Sequence, residues 1–179
     1  MAAGKILSFG LAVMVAGPIL ANDRWSSDHD RRDRRIEARL TGYEETPSTL
    51  STTGRGSFKA VVTKDNEIQY ELKYSGLETD ITQSHIHFGR PGLSGGIAAW
   101  LCGTPALPGP TGNLPPQCEL GTEGTVTGTI TAAQVIGPAG QGIAAGEFEE
   151  LLDAVRAGAT YANVHTTGRP GGEIRGLIH

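Results

Sequence analysis

The sequence predicts an all-β domain, an antiparallel β-sandwich or Greek-key barrel of about eight strands with one short helix before the penultimate strand. Three observations predict it. The 179 residues include 26 Gly and 10 Pro, about a fifth of the chain, which punctuate rather than pack. The remainder falls into short runs of alternating apolar and polar residues bounded by turn residues, the period-2 signature of half-buried strands. Only one segment past the N-terminal region carries a complete set of helix signals. Length fits one domain plus a tail, and 38% hydrophobic residues suffice for a modest core. A net charge of −4 argues against nucleic acid as a partner, because phosphate binding needs a concentrated basic face.

The chain opens outside that domain. Lys5, the uncharged apolar run from Ile6 to Ala21, and the small Ala21 ahead of Asn22 and Asp23 form the layout of a secretory signal peptide over residues 1–21. A membrane anchor is the competing reading, but the run is short against the roughly 20 residues a span requires. No membrane span is expected in the mature form, which is then periplasmic, extracellular or at the cell surface. Residues 22–39 hold six Arg and five acids with hardly an apolar residue before Ile36. Nothing there drives burial, so the sequence predicts a charged tether over 22–36 and a single domain over 37–179. An adhesive arm for anionic lipid or polysaccharide is the functional alternative. From residue 40 onward 8 basic and 14 acidic residues give −6, so the globule is more acidic than the whole chain.

The strands follow in order. Ile36 to Tyr43 alternates in part and ends in the acidic turn Glu44-Glu45-Thr46-Pro47. Gly54 to Thr63 places Phe58, Ala60 and Val62 on one face. Glu67 to Tyr74 is the clearest strand, with Ile68, Tyr70, Leu72 and Tyr74 on one face and Glu67, Gln69, Glu71 and Lys73 on the other. Lys64-Asp65-Asn66 between these two reads as a hairpin turn. Thr82–Phe88, Gly96–Leu101, Gly124–Thr131, Thr160–His165 and Glu173–Ile178 complete the set. Between Gly146 and Gly158, Phe148, Leu151, Leu152 and Val155 recur at helical spacing, with acids in the first turn, Arg156 in the last and Gly158 as the stop. Cys102 and Cys118 flank an aperiodic Pro/Gly-rich loop. In an exported chain the only two cysteines are expected to form a disulfide.

The residues with chemical potential are histidines. Ser84-His85-Ile86-His87-Phe88 puts two imidazoles on one strand face, and Asn163-Val164-His165-Thr166 supplies a third before the turn Thr167 to Gly172. Neutral imidazole binds copper, zinc and nickel well, and three such ligands leave a coordination position open. His85, His87 and His165 are therefore the candidate metal ligands. The competing reading makes them structural, donating to loop carbonyls and pinning the Arg90-Pro91-Gly92 turn. Glu173 and Arg175 share a face, so one can accept from and the other donate as a fork to neighbouring loops; an ion pair fixing one end of the sandwich is expected, with Glu173 as a general base the alternative. His29 and His179 are assigned no role. No phosphate loop, dinucleotide fingerprint or Cys-x-x-Cys occurs.

Ser84 to Gly89, the Gly92 to Gly96 turn, the Gly146 to Gly158 helix, and Tyr161-Ala-Asn-Val-His-Thr166 leading into Pro170-Gly-Gly-Glu-Ile-Arg-Gly176 together resemble the CHRD domain. That module is named from the extracellular signalling antagonist chordin and is common in exported bacterial proteins. The resemblance covers roughly residues 37 to 178. It implies an immunoglobulin-like β-sandwich and little about activity. Asn163, Glu173 and Arg175 are assigned structural roles. The Cys102–Cys118 loop resembles a local insertion. A weaker similarity runs to the copper,zinc superoxide dismutases, which would match His85, His87 and His165 to copper ligands. No His lies between His87 and His165, so the metal-bridging imidazole has no counterpart, and such a site would hold copper alone or zinc alone.

Two functions are expected from this reading. The first is an exported, non-enzymatic binding or accessory module engaging a partner protein, an envelope assembly, a surface glycan or a metal ion through loops near the histidines. The second is a copper-dependent oxidoreductase of superoxide-dismutase-like type, with Arg90 or Arg169 steering an anionic substrate.

Overall fold

A computed structural model describes Met1 and residues 34–179 of the chain. The signal peptide expected over 1–21 and residues 22–33 of the expected tether lie outside the residues described. The domain is built on eight strands: β1 (Arg35–Thr41), β2 (Arg55–Val62), β3 (Ile68–Ser75), β4 (Ile81–Phe88), β5 (Gly96–Gly103), β6 (Gly124–Ile130), β7 (Thr160–Thr166) and β8 (Ile174–Leu177). Each coincides with a run picked out by alternation, to within one or two residues. β1 takes in Arg35 and Ile36, which the sequence had placed at the end of the tether. Ile36, buried, opens an alternation that continues through Ala38 and Leu40.

All eight strands join one antiparallel sheet in the order β5-β4-β7-β8-β1-β2-β3-β6. β5-β4-β7-β8 form one half and β1-β2-β3-β6 the other. The halves are joined where β8 meets β1, by the pair Thr41 and Arg175 and by reciprocal backbone bonds between Glu37 and His179 of 2.8 and 3.0 Å. Strand pairing across the hinge is thin. The sheet can therefore bend there and wrap on itself, nearly closing as a barrel. At the opposite side the two edges approach without a ladder. Tyr70 on β3 donates from its hydroxyl to the carbonyl of Leu101 on β5 at 2.5 Å, and Tyr74 likewise reaches the Glu119 carbonyl. The free edge of β5 is covered by Val135–Ile136, where the Ile136 N–H donates to Ala98 O at 2.9 Å. A covered edge offers no template for another strand.

The interior is filled by Leu40, Phe58, Ile68, Leu72, Ile86, Leu101, Ile130, Val164, Ile174 and Ile178, all buried. β3 shows how the sequence dictates this. Ile68, Tyr70, Leu72 and Tyr74 are buried, while Gln69 and Lys73 between them are exposed. The helix α1 (Phe148–Arg156) buries Phe148, Leu151, Leu152, Ala154 and Val155 in the same core. Glu149 lies in its first turn and accepts from Asn66 at 2.8 Å, which places the helix N-terminus beside the β2–β3 turn. Gly158 ends the helix at φ +61°, the left-handed conformation that favours glycine. Among the described residues, no helix is long and apolar enough to cross a membrane.

Cys102 at the end of β5 is bonded to Cys118, closing a loop of sequence separation 16. The Cys118 N–H also donates to Gly103 O at 2.8 Å, so crosslink and backbone bond hold the same corner. Restricting a loop of this size in the unfolded chain contributes about 3 kcal/mol. Cys102→Ser/Cys118→Ser should lose about that much unfolding free energy in urea titration. The wild type treated with reductant should fall to the same value. Unchanged stability in both would show that the crosslink does not constrain the unfolded chain.

Candidate metal centre

The site begins with a strand that meets no solvent on either side. Every residue of β7 is buried. Ala162 and Val164 point into the apolar core, so Tyr161, Asn163 and His165 point to the other side of the sheet half. Register then carries the polar layer sideways. His87 lies opposite Tyr161, His85 opposite Asn163 and Gln83 opposite His165 on β4, while Arg175 lies opposite Asn163 on β8. Residues facing each other across an antiparallel pair project to the same side. Hence His85, His87, His165, Tyr161, Asn163 and Arg175 share one surface, and loops at residues 42–47, 89–95 and 167–172 cover it.

The three candidate ligands come together there. One ligand atom of each of His85, His87 and His165 lies within 4.8 Å of the others, and the side chains are only 1%, 8% and 6% exposed. Two rings are oriented by backbone carbonyls: His87 Nδ1 lies 3.0 Å from Gly95 O and His165 Nδ1 lies 3.0 Å from Pro170 O. A carbonyl only accepts, so both Nδ1 atoms carry the proton and both Nε2 atoms carry a lone pair. His165 Nε2 meets His85 Nδ1 at 3.2 Å. His85 Nε2 and His87 Nε2 are buried with no partner at all. His87, held through Nδ1 by a carbonyl with Nε2 left free, has the arrangement of a metal ligand and its outer support, while His165 has the same carbonyl support and shares its Nε2 with His85. Trp100 packs edge-on against His85 at 4.3 Å, walling the site on the β5 side.

Burial sets the protonation. Desolvation pushes the His85 pKa down to about 2, helped by the neighbouring His165 and His87. His87 falls to about 4, mainly through desolvation, which the Gly95 carbonyl partly opposes. His165 is lowered by desolvation, against its bond to Pro170. All three rings are neutral at pH 7, the form that binds metal.

The remaining polar residues hold the covering loops. Arg175 donates to Thr46 Oγ1 and to Leu93 O at 2.7 Å, and its guanidinium lies 3.4 Å from the centre of the Tyr161 ring. Tyr161 in turn stacks flat on His87, centroids 4.8 Å apart and 2° from parallel. Its hydroxyl accepts from the Gly95 N–H at 3.1 Å. Gly95 is required by close approach, since a Cβ there would sit 1.7 Å from Phe88 O. Glu173, fully buried, accepts from Thr52 Oγ1, the Glu78 N–H and Thr166 Oγ1 at 2.8 to 2.9 Å. Glu173 and Arg175 thus act as acceptor and forked donor for separate loops, as their shared face allows, without an ion pair between them. Asn163 donates to Glu45 Oε1 at 2.7 Å and to Ile174 O at 2.9 Å. Of the two arginines expected to steer a substrate, Arg169 pairs with Glu78 at 3.3 Å, and Arg90 is exposed.

Sequence reasoning missed Glu45, Trp100 and Tyr161. Tyr161 was within reach, because it alternates with Asn163 and His165. Glu45 was hidden in an acidic turn that reads as solvated. It is 5% exposed, and burial lifts its pKa to about 7 against the bond from Asn163.

These shifts give the metal-free protein a defined pH dependence. The histidine pKa values are lowered on folding, so their contribution to stability is present above about 6.5 and is lost as pH falls through the window below it. Glu45 is raised on folding, so its contribution is present below its ordinary 4.5 and fades as pH rises toward 7. Between pH 6 and 5 the unfolded chain gains about two protons over the folded one at His85 and His87 and gives back about one at Glu45, a net of about one proton, or about 1 kcal/mol of lost stability per pH unit, with His165 adding in the same direction. Urea unfolding at pH 7, 6 and 5 should show this slope, and His85→Gln should take about one proton off it. A flat profile would contradict the buried neutral cluster.

No curated protein and no solved structure matches the chain. The family model of the CHRD domain matches residues 36–178, from the first buried residue of β1 to the last core residue beyond β8, and includes all three histidines, Asn163, Glu173 and Arg175. The chain belongs to the CHRD domain family.

Proposed function

We propose that this chain is an exported, non-enzymatic binding module that holds a transition-metal ion through His85, His87 and His165. One observation carries the reading: three buried neutral imidazoles converge, two with their Nδ1–H fixed on carbonyls, and two Nε2 atoms have no partner. A buried unpartnered polar atom costs roughly 1–3 kcal/mol, and a metal ion removes that cost where a purely structural histidine does not. The donor set fits copper or zinc, which imidazole favours. The Cys102–Cys118 disulfide fits an extracellular protein, where such bonds persist.

A second reading, superoxide dismutation by a copper-loaded site, uses the same three residues. It is favoured by a donor set of three, which leaves a fourth position for a small ligand. A bound copper would supply the redox chemistry. The chain would hold the ion, keep its ligands neutral and limit access through the loop at residues 89–95.

Metal analysis of untagged protein tests both readings. One equivalent of copper or zinc per chain is expected, lost in His85→Ala/His165→Ala, with the melting temperature of the wild type falling on chelation. Protein that takes up no metal and melts unchanged in its presence overturns the proposal. Catalysed loss of superoxide by the copper form, absent in the double variant, would convert the binding module into an enzyme.

A further inference from the structure

We infer that Arg175 is a specificity-determining residue that biases the three-histidine site toward monovalent copper and against divalent ions. The inference rests on the metal-holding reading and concerns which ion is held.

It follows from charge. Among the described residues, the atoms gathered for a metal are imidazole nitrogens alone, which bring no negative charge. The nearby carboxylates are turned elsewhere. Glu173 is committed to Thr52, the Glu78 N–H and Thr166, and Glu45 is bonded to Asn163. An ion at the centre would keep its full charge in a site whose ligands are at most 8% exposed. The cost of burying an ion rises steeply with its charge, so neutral ligands favour the lower charge state.

Arg175 sharpens this. β7 lies between β4 and β8, and both His87 and Arg175 pack on the ring of Tyr161, at 4.8 and 3.4 Å. The guanidinium is fixed in place by Thr46 and by the Leu93 and Arg90 carbonyls. Its direct hydrogen-bond partners are all neutral groups, and the buried Glu45 carboxyl, which interacts with it electrostatically without a bond, offsets only part of its charge. A permanent cation held one aromatic ring away from a ligand opposes a dication about twice as strongly as a monocation. Among the transition metals that imidazole suits, copper is the one with an accessible monovalent state.

The test is a ratio. Untagged full-length protein is titrated anaerobically with Cu(I), and separately with Zn(II), each against a chelator of known affinity. The wild type is expected to bind Cu(I) in preference to Zn(II). Arg175→Gln, and Arg175→Met as a second variant without the charge, should shift the Cu(I)/Zn(II) affinity ratio toward zinc by about tenfold. Arg175→Lys, which keeps the charge but loses the fork, should retain the wild-type ratio. A purely structural arginine weakens both metals alike in all three variants and leaves the ratio unchanged. An unchanged ratio overturns the inference, as does tighter binding of Zn(II) than Cu(I) by the wild type. Failure of the wild type to bind either ion overturns the metal-holding reading instead.

Discussion

Everything distinctive in this domain follows from one constraint: β7 is buried on both sides. Its inner side meets an ordinary apolar core. Its outer side carries Tyr161, Asn163 and His165, and no polar group in that position can rely on water. Each needs a partner from the protein, because an unpaired buried polar group costs about as much as several good contacts return. The covering loops supply those partners. Gly95 and Pro170 present carbonyls to two imidazoles, Glu45 reaches Asn163, and Arg175 ties Leu93 and Thr46 together across the Tyr161 ring. The loops are ordered because the strand beneath them is polar, and the strand tolerates polar residues because the loops are ordered.

That reciprocity explains the places where partners run out. In a layer where Glu173, Asn163 and Arg175 are each met at two or more points, the lone pairs on His85 Nε2 and His87 Nε2 are met at none. Thr160 Oγ1 is the other buried orphan side-chain atom among the described residues, and it sits at the start of the same strand. Natural proteins leave such gaps where function requires them. The neutral state of the rings is imposed by the same burial that removes their partners, so geometry and protonation reach a ligand-ready form together.

Much of the fold was legible in the sequence because its signals are local. Alternation at Ile68, Tyr70, Leu72 and Tyr74 sets which side of β3 is buried, and the spacing of Phe148, Leu151, Leu152 and Val155 sets the helix. The histidines were legible for the same reason, since His85-Ile86-His87 needs only strand geometry to share a side. What escaped is long-range. Strand order, the thin hinge between β8 and β1, and the division of Glu173 and Arg175 between different loops depend on pairings that no window of residues contains. Glu45 escaped because an acidic turn next to proline looks solvated, and only the arrival of Asn163 from more than a hundred positions away makes it a buried carboxyl.

The contact between Arg175 and Thr46 spans 129 positions of sequence. With the pairing of His179 to Glu37, it binds the two ends of the domain across the sheet hinge. The histidine chamber therefore draws its cover from both ends of the domain. Its floor is laid by β4 and β7, but its roof requires residues from the beginning of the domain and from its final strand. A chain stopped short of β8 would keep the three imidazoles and lose the arginine that ties Thr46 and Leu93 together over the Tyr161 ring.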